Sequence, residues 1–546
     1  MPRGSADLNP FADKSYGECV ALLVEMYGDR RALVFRGRRY TFRDVKVRVD
    51  EASRRLATLG LKRGDTIALW MPNRPEFLWY WLGACQIGLI SVFLNTRLKQ
   101  PEFMYQIAQS RSRALITAGP GAFRNFLAEL LAACPDLAGH RVGEADLSAL
   151  PELRHVIALD ALPDGPPGVA DWSGEVAEVA VQPALEADPG RPALIGYSSG
   201  TTALPKGAML THCVWQKAWD GGALFDLTTD DCLFHTVPLF GVLGFLSGVL
   251  MFWTHGCGIV LDDKFDAGRS IRLIRDEGCT CVHLLPVMIE EMLAHPDFRA
   301  GGLPGLRAGI VLSNDPAVMR RAAEKLGMRG ASAGYGMTES TGLVTRGRWD
   351  APIDERLKSH GPPLPGCAIR IVDPETGADL PPGKTGEIWI GGYSVMAGYY
   401  DKPVETAETI TPDGWLRSGD AGFLNPDGTL VFLHRLNDGY KHNGFNVSTP
   451  EVEGALRLHP SVASAAVVSI PHDRFGEIGI AFAVAKPGAA RENDAVLAFL
   501  RERLASFKVP AEVLFVDEFP LTAGTEKVQK FKLKEIALRH FGKSTR

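Results

Sequence analysis

The chain has 546 residues, more than one hydrophobic core usually covers, so we expect at least two domains. Apolar residues make up 46% and charged residues 23%, as in globular proteins, and the net charge of -5 argues against nucleic acid as a partner. The nine cysteines are scattered without the spacing of a metal or redox motif, which favours reduced thiols in the cytoplasm.

Strand and helix patterns alternate from residue 37 to residue 95. Helical periodicity over 42–59 begins after Thr41, a residue type that caps helices well. A strand is predicted over 66–71 and a helix over 76–87. Because strands and helices that take turns form parallel sheets covered by helices, the chain is predicted to be an α/β protein.

One stretch raises the question of a membrane segment. Residues 77–94 are almost wholly apolar and approach the roughly 18 residues that a spanning helix needs. Gly and Gln interrupt the run and 89–94 has the composition of a strand, so we predict a buried helix followed by a core strand. The shorter run 241–253 is predicted to be a core helix. We expect no signal peptide and no transmembrane segment, and peripheral membrane contact stays open.

Polar stretches divide the rest of the chain. Residues 147–190, rich in Pro, Gly, Asp and Glu, are predicted to form a surface connection. The alternation then resumes, and after residue 361 the sequence becomes rich in strands and turns. A polar break over 435–446 precedes a compact pattern of helices and strands, which indicates a small α+β domain of about a hundred residues.

A loop of small polar residues is the most informative motif. It follows a buried strand pattern at 193–195 and precedes Lys206. Main-chain N–H groups and hydroxyls bind anions and a lysine compensates their charge, so the loop favours phosphate. Pro205 and Gly207 around the lysine exclude the Walker spacing, and a solvated turn is the alternative for this stretch alone. The loop comprises Ser198, Ser199, Gly200, Thr201 and Thr202.

Four further motifs could complete a nucleotide site. Tyr335 lies between two glycines and could stack on a base, while Thr338 and Glu339 after it supply groups for phosphate and metal. Asp420 follows a glycine and could accept from both ribose hydroxyls. Core packing of the tyrosine and a plain Ser-Gly-Asp turn are the alternatives. Basic residues mark the other two motifs, each typical of a solvated surface when taken alone: Arg435 and Lys441 at the polar break, and Lys527 near the C-terminus.

Together these motifs resemble, in order and approximate spacing, the adenylate-forming superfamily of acyl-CoA synthetases, nonribosomal adenylation domains and luciferases. The resemblance covers nearly the whole chain and is strongest to acyl-CoA ligases. Residues 444–453 and 524–530 are similar to the crotonobetaine/carnitine-CoA ligase and fatty-acid transport protein branches, and 435–447 resembles coumarate-CoA ligases. The resemblance implies a large nucleotide- and acyl-binding domain over 1–436, with mixed and parallel sheets, and a small mobile α+β domain over 437–546.

The resemblance also implies two half-reactions. A carboxylate attacks the α-phosphate of ATP and expels pyrophosphate, and the thiol of coenzyme A then attacks the acyl-adenylate. The implied roles are phosphate binding by the loop, Lys206 and Thr338, Mg²⁺ binding by Glu339, adenine stacking by Tyr335 beside Gly334, and ribose binding by Asp420 with Arg435. Lys441, Asn443 and Gly444 are implied in cofactor binding, and Thr338, Glu339 and Lys527 in catalysis.

Lys527 is implied to neutralise the charge between the carboxylate and the α-phosphate. After adenylation the small domain would rotate about a hinge near Asn437 and withdraw the lysine. The segment that holds Asn443 and Gly444 would then line a tunnel for the pantetheine arm of coenzyme A.

Several positions depart from the pattern of the superfamily. Ala203 and Glu526 stand where Gly is more usual, Asn437 where Asp or Lys is usual, and Gly241 where His is usual. A glycine at 241 should enlarge the acyl site, and apolar residues around it suit a hydrophobic acid. The predicted wall of the acyl site is Leu239, Gly241, Leu243, Ser247 and Val287.

Three functions are compatible with these motifs. The first is an ATP-dependent acid:CoA ligase that releases AMP and pyrophosphate. The second is an adenylating enzyme of the same fold with another nucleophile, such as an amine, a carrier-protein thiol or nitrite. The third, a non-catalytic nucleotide- or lipid-binding protein, is disfavoured because Lys206, Glu339, Asp420 and Lys527 are all retained.

Overall fold

A computed structural model describes residues 9–119, 122–141, 143, 147–162, 165–174, 181–198, 205–298, 303–313, 316–332, 334–436, 439–442, 445–472, 475–504, 506–522 and 527–541. The chain divides into two compact units. The first unit comprises 1–370, 389–417 and 424–431, and the second comprises 371–388, 418–423 and 432–546. The predicted hinge at Asn437 lies outside the described residues, and a domain boundary there stays a prediction.

The first third of the chain alternates short strands with helices. The elements are α1 (Tyr16–Tyr27), β1 (Arg31–Phe35), β2 (Arg38–Thr41), α2 (Phe42–Ala57), β3 (Thr66–Trp70), α3 (Pro75–Gln86), β4 (Ile90–Phe93), α4 (Gln100–Gln109), β5 (Ala114–Thr117), α5 (Phe126–Ala133), β6 (His155–Ala158), β7 (Val169–Asp171), β8 (Pro192–Ser198) and β9 (Lys206–Thr211). Thr41 caps α2 as predicted, because its side chain accepts from the Asp44 N–H and the Asp44 carboxylate accepts in return.

The middle of the chain continues this alternation. Its elements are α6 (Val214–Ala223), β10 (Cys232–His235), a π-helix (Leu243–Leu250) that runs into α7 (Met251–Trp253), β11 (Gly258–Leu261), α8 (Ala267–Asp276), β12 (Cys281–Val282), α9 (Pro286–Ala294), β13 (Ala308–Ile310), α10 (Pro316–Glu324), β14 (Gly330–Ser332), β15 (Gly334–Met337), β16 (Gly342–Arg346) and α11 (Ile353–Arg356).

Strands dominate the remainder of the chain. The elements are β17 (Cys367–Val372), β18 (Gly386–Gly392), β19 (Gly398–Tyr399), α12 (Pro403–Thr409), β20 (Leu416–Leu424), β21 (Leu430–Arg435), β22 (Gly439–His442), β23 (Phe445–Ser448), α13 (Thr449–Arg457), β24 (Val462–His472), β25 (Gly476–Ala485), α14 (Asn493–Arg501), β26 (Glu512–Val516) and α15 (Lys530–Phe541).

Two large sheets form the first unit. One has the order β19-β9-β8-β4-β3-β5-β6-β7 and is parallel from β8 to β7, with β9 and β19 antiparallel at one edge. The other has the order β14-β13-β12-β10-β11-β1-β2 and is parallel except for the β1–β2 pair. A third sheet has the order β17-β18-β20-β21. The predicted α/β class with mixed sheets is therefore confirmed.

The apolar run 77–94 is a buried helix followed by a buried strand, as predicted. Every residue of α3 except Glu76 is buried, and β4 is buried along its whole length. Such a strand is covered on both faces and needs no polar alternation. In the parts of the chain that the structure describes, no helix combines the length and the apolar character required to cross a bilayer.

Three sequence-based predictions of secondary structure need correction. The surface connection over 147–190 contains β6 and β7, which extend the parallel sheet but are too short for periodicity to reveal. The polar break over 435–446 contains β22 and part of β23, which pair in antiparallel fashion. The core helix over 241–253 is mostly a π-helix, over Leu243–Leu250, a form that composition does not distinguish from an α-helix.

The second unit has its own core around the sheet β23-β22-β25-β24, with β26 paired to β25. Alternate residues of β24 face two separate apolar clusters: Ala465 and Val467 pack with residues of α13 and α14, whereas Ala466 and Val468 pack with α15. This period of two places helices on both faces of the sheet. The small α+β domain expected from the sequence is thus present.

Candidate active site

The predicted phosphate loop joins two neighbouring antiparallel strands of the first unit. Ser198 ends β8 and pairs with Lys206, which begins β9, so the strand pairing brings the ends of the loop together. Residues 199–204, and with them Ser199, Gly200, Thr201 and Thr202, lie outside the described residues. The Lys206 Nζ atom lies 4.7 Å from the centroid of the Tyr399 ring. A cation over an aromatic face is held in place while its charge stays available to an anion.

Glu339 contacts the hydroxyl group of the same tyrosine. Tyr399 Oη donates to Glu339 Oε1 over 2.9 Å, and Glu339 is only 4% exposed. The strand β19 fixes this arrangement, because Tyr399 pairs with Ala208 of β9 and the Met396 N–H donates to the Glu339 carbonyl over 2.8 Å. The structure therefore brings Lys206 and Glu339 together around one buried phenol.

Thr338 and Tyr335 lie on the hairpin that leads to Glu339. A Cβ atom at Gly196 in β8 would lie 2.9 Å from Thr338 Cγ2, so only glycine allows this close approach between the strand and Thr338. Tyr335 is 6% exposed, and its N–H donates to Thr345 Oγ1 over 3.3 Å. Gly334 opens the hairpin in β15. The two segments around positions 196 and 338 thus form one packed edge of the first unit.

Asp420 and Arg435 form an ion pair within the second unit. The Arg435 Nε atom lies 2.9 Å from Asp420 Oδ1, and the Asp420 carboxylate is almost fully buried. Arg435 Nη1 also donates to the Ser418 carbonyl over 3.2 Å, and Ser418 Oγ accepts from the Asp420 N–H over 3.0 Å. The structure thus places these two residues in direct contact, and their binding of ribose stays a prediction.

The lysines near the C-terminus have different surroundings. Lys527 is exposed, and its carbonyl accepts from the Thr522 N–H over 2.7 Å. Lys530 is instead held by Thr449 Oγ1 at 2.9 Å and Glu453 Oε1 at 2.8 Å. Of the remaining predicted cofactor residues, Lys441 lies on β22, and Asn443 and Gly444 lie outside the described residues.

The residues of the predicted acyl wall differ in burial and in the elements that carry them, and their role stays a prediction. Leu239 is buried and its N–H donates to Asn73 Oδ1, and Leu243 and Ser247 lie on the π-helix. Ser247 lines a crevice in the first unit, together with residues of α6 and β16. Val287 is 44% exposed at the start of α9. A Cβ atom at Gly241 would meet only the Pro238 carbonyl, at 3.7 Å, so this position has room for a side chain.

Tyr399 was not found by sequence reasoning. It lies 60 residues from Glu339 in the chain and reaches it only because the two-residue strand β19 pairs with β9. No local pattern marks so short a strand. The adjacent Tyr-Tyr pair after a glycine, at 398–400, is the one available signal, and it predicts no partner.

The residues around Glu339 are compatible with a magnesium ion. Among the described residues, no group of three His, Cys, Asp or Glu side chains could hold a metal by itself. Mg²⁺ in nucleotide enzymes commonly takes one or two carboxylates and completes its shell with substrate phosphates and water. A single buried carboxylate oriented by a phenol therefore fits this ion.

Comparisons with known proteins give the family. Residues 22–400 match the AMP-binding enzyme family, and residues 451–525 match the AMP-binding enzyme C-terminal domain. The chain is 32% identical to a 3-[(3aS,4S,7aS)-7a-methyl-1,5-dioxo-octahydro-1H-inden-4-yl]propanoyl:CoA ligase of Rhodococcus jostii, over 93% of this chain and 96% of that protein. It is 30% identical to the mitochondrial medium-chain acyl-CoA ligase ACSF2 of Danio rerio, over 98% and 90%.

A solved structure agrees with this assignment. The crystal structure of ATP-bound MatB from Rhodopseudomonas palustris superposes with a TM-score of 0.81 at 26% identity, covering 95% of this chain and 98% of that one. Both parts of the chain therefore have counterparts, and the match spans almost its full length. The chain belongs to the AMP-binding enzymes, the adenylate-forming family whose motifs its sequence carries.

Proposed function

We propose that the protein is an AMP-forming acid:CoA ligase that activates a hydrophobic carboxylic acid. The acid and ATP form an acyl-adenylate and pyrophosphate, and coenzyme A then displaces AMP to give the thioester. The observation that carries this proposal is that Lys206 and Glu339 both contact Tyr399. Lys206 directly follows the loop whose composition suits phosphate. Relatives that match almost the whole chain are named as acyl-CoA ligases, which supports coenzyme A as the second substrate.

The first half-reaction brings two anions together, so the site must supply positive charge and positioning. Lys206 binds the outer phosphates of ATP, and the ring of Tyr399 keeps its ammonium group from folding away. Thr338, packed against Gly196, donates to the α-phosphate. These groups are held in place before the substrate arrives, so little reorganisation is needed during the reaction.

Glu339 is the residue that would hold Mg²⁺. When bound, the ion offsets the negative charge of the phosphates during transfer. The Tyr399 hydroxyl orients the carboxylate by donating to Oε1, which leaves Oε2 for the ion. Tyr335 provides the surface for adenine, and Asp420, paired with Arg435, accepts from the ribose hydroxyls. Lys527 supplies the cation for the adenylation step.

The narrower assignments from the sequence rest on the motifs alone. Similarity to the crotonobetaine/carnitine-CoA ligase and fatty-acid transport protein branches, a cytoplasmic location, the roles of Lys441, Asn443 and Gly444, and rotation about Asn437 are proposals on that basis. A second nucleophile other than coenzyme A is the alternative function.

The direct test is a panel of carboxylic acids assayed for ATP-dependent release of pyrophosphate, with and without coenzyme A. We expect acid-dependent release in the presence of Mg²⁺, and formation of the acyl-CoA thioester when coenzyme A is added. Pyrophosphate release without any thioester, but with amide formation when amines are added, would support the alternative nucleophile. Absence of acid-dependent release across the panel would overturn the proposal.

The substitution Gly241→His tests the acyl wall. The position has room for a side chain, because a Cβ atom there would meet only the Pro238 carbonyl at 3.7 Å. A His side chain should occupy space that the acid uses and shift the preference toward smaller acids. The measurement is kcat/KM across acids of increasing size. An unchanged profile would remove Gly241 from the acyl site.

A further inference from the structure

Helix α15 exposes several large apolar side chains. Phe531 is 53% exposed, Leu538 45% and Ile536 39%. Among the helices of the described residues, no other one exposes more than a single large apolar side chain. Isolated apolar residues at a surface are ordinary, whereas several on one short helix indicate a surface that another molecule covers. The exposed side of α15 is therefore a candidate interaction surface.

The side of α15 that holds it to the second unit is a different one. Leu533 and Ala537, four residues apart, are its buried residues and pack in one cluster with Val468 of β24. Between residues 531 and 540, every other residue is exposed. Because Leu533 and Ala537 account for the packing of the helix, the fold of the second unit does not explain the apolar residues on its exposed side.

The exposed apolar and basic residues of α15 alternate along the helix in rows. Phe531 and Leu538 are seven residues apart, about two helical turns, and so lie on the same side of the helix. Lys534 lies between them, three residues after the phenylalanine and four before the leucine. A second row, with spacings of four and three, comprises Lys532, Ile536 and Arg539. Each row thus places apolar and cationic residues next to each other.

The charge of α15 is opposite to that of the whole chain. The chain carries a net charge of -5, but α15 has four lysines and arginines and a single acidic residue, Glu535. Lys530, one of the four, is held by Glu453 within the second unit. In the part of the chain that the structure describes, the other three form no ion pair with a carboxylate: Lys532, Lys534 and Arg539. Their positive charge is therefore available to an anionic partner.

We propose that the exposed side of α15 binds the surface of a bilayer that contains anionic phospholipids. The apolar side chains of such a helix enter the boundary between headgroups and acyl chains, while its lysine and arginine side chains extend to the phosphates. The contact is peripheral, and the inference does not depend on the ligase activity proposed above.

Two other partners fit this surface less well. A nucleic acid offers phosphates to the cations but no apolar layer to Phe531 and Leu538. A second copy of this chain, joined through the same surface, would bring the cations of one α15 against those of the other. Of the three partners, a bilayer alone supplies anionic and apolar groups in adjacent layers.

The first experiment compares the binding of the full-length protein to two kinds of vesicle by co-sedimentation, without ATP or acid. One kind is phosphatidylcholine alone, and the other is phosphatidylcholine and phosphatidylglycerol in equal parts. We expect roughly 100-fold tighter binding to the mixed vesicles, because each of three cations contributes about fivefold at an anionic surface. High salt should reduce this difference. Equal binding to both kinds, or binding to neither, would overturn the inference while leaving the ligase function untouched.

Substitutions on the exposed side of α15 locate the contact. Phe531→Ser and Leu538→Ser should each weaken binding to the mixed vesicles about tenfold, because each removes apolar area from the contact. Lys532→Glu and Lys534→Glu should each weaken it roughly 20-fold, because a reversed charge replaces attraction by repulsion. All four side chains are exposed, so the variants should fold, which circular dichroism checks.

Matched controls come from other exposed positions of the second unit. Leu458→Ser and Lys486→Glu make the same changes outside α15, and we expect these variants to bind the mixed vesicles as tightly as the unmodified protein. Equal weakening by the controls and by the α15 variants would show that the contact does not involve this helix, and would overturn the inference. Unchanged binding by both serine variants of α15 would also overturn it, because charge alone would then account for the attraction.

The same variants test the two other partners. Binding of duplex DNA that Lys532→Glu weakens, in protein that binds no vesicles, would assign the surface to a nucleic acid; fluorescence anisotropy measures this binding. A dimer that Phe531→Ser disrupts, again in protein that binds no vesicles, would assign the surface to a second copy of the chain; analytical ultracentrifugation detects the dimer. Either result would overturn the inference.

Discussion

The two units differ in how deeply they bury the charged residues to which we assign a function. In the first unit, Glu339 is 4% exposed and accepts from the buried Tyr399 hydroxyl, and Lys206 lies over the same ring. In the second unit, Lys527 is exposed, although Lys530, three residues later, is held by Thr449 and Glu453. Under the proposed mechanism, a group that binds the nucleotide benefits from being positioned in advance, whereas Lys527, used in only one of the two half-reactions, must be able to leave.

The largest expected effect is a loss of stability of the first unit at low pH. Burial lowers the pKa of His212, His255 and His283 to about 4, so the folded state keeps them neutral at a pH where an unfolded chain protonates them. The stability that they confer is complete above pH 6.5 or so and is lost as the pH falls from there toward 4. We expect a loss of roughly 2 kcal/mol for each histidine between pH 7 and pH 5.

Tryptophan fluorescence would report the unfolding of the first unit only. All ten tryptophans lie at positions that belong to the first unit. Urea unfolding followed by this fluorescence should therefore show a large fall of the midpoint between pH 7 and pH 5. A midpoint that does not change would mean that these histidines are not neutral and buried in solution.

Lys527→Ala is the next largest effect. Removal of one cation from a developing transition state typically costs about 3–4 kcal/mol, so pyrophosphate release from acid and ATP should fall roughly 100- to 1000-fold. Thioester formation from a supplied acyl-adenylate should be largely retained, because that step does not use the lysine. The exposed Lys534→Ala in α15 is the matched control. Equal loss in both half-reactions would contradict the assignment of Lys527 to adenylation alone.

Tyr399→Phe tests how the first unit positions Glu339. Loss of a hydrogen bond to a charged group costs about 1.5–3 kcal/mol, so kcat/KM should fall roughly tenfold or more. Because the carboxylate would lose its orientation, the Mg²⁺ concentration for half-maximal activity should rise, as it should to a greater degree in Glu339→Gln. The neighbouring Tyr400→Phe provides the control. An activity loss with unchanged Mg²⁺ dependence would show that Tyr399 does not act through Glu339.

The sequence predicted the parts of this molecule that local patterns encode. Thr41 caps α2, the run 77–94 is a buried helix and strand, and the last hundred residues form an α+β unit. Each of these depends on periodicity or capping within a short window. The neighbours of Lys206 and Glu339 in the chain also single out these two residues, whose roles stay predictions.

Local sequence patterns do not predict which strands and side chains from distant parts of the chain come into contact. Tyr399 meets Glu339 only through the two-residue strand β19, and β6 and β7 were missed for the same reason of length. Lys217 and Arg346, more than a hundred residues apart in the chain, are each 2% exposed, and their neighbours in the sequence do not mark either as buried. Whether a charge is buried depends on packing, which one sequence does not specify.

The smallest expected effect is that of Lys530→Met, which separates a lysine with a structural contact from Lys527, to which we assign a role in adenylation. Lys530 Nζ joins the start of α15 to Glu453 of α13, whose Oε1 also accepts from the Val467 N–H of β24 over 2.8 Å. Since both side chains are partly buried, we expect the second unit to lose about 1 kcal/mol of stability. Faster hydrogen exchange in peptides of α13 and α15 would report this loss, with the exposed Lys532→Met as control.

The two lysine variants should separate cleanly. Lys530→Met should weaken the second unit but keep adenylation within about twofold of the unmodified rate, because that side chain is engaged by Thr449 and Glu453. Lys527→Ala should leave hydrogen exchange unchanged and abolish most adenylation. If Lys530→Met instead lowered pyrophosphate release as strongly as Lys527→Ala, then either the C-terminal segment must be rigid for Lys527 to act, or Lys530 supplies the cation. The variant Lys530→Arg would then distinguish these two explanations. An arginine can restore the contact with Glu453 and keeps the charge, but it changes the reach and geometry of the donors.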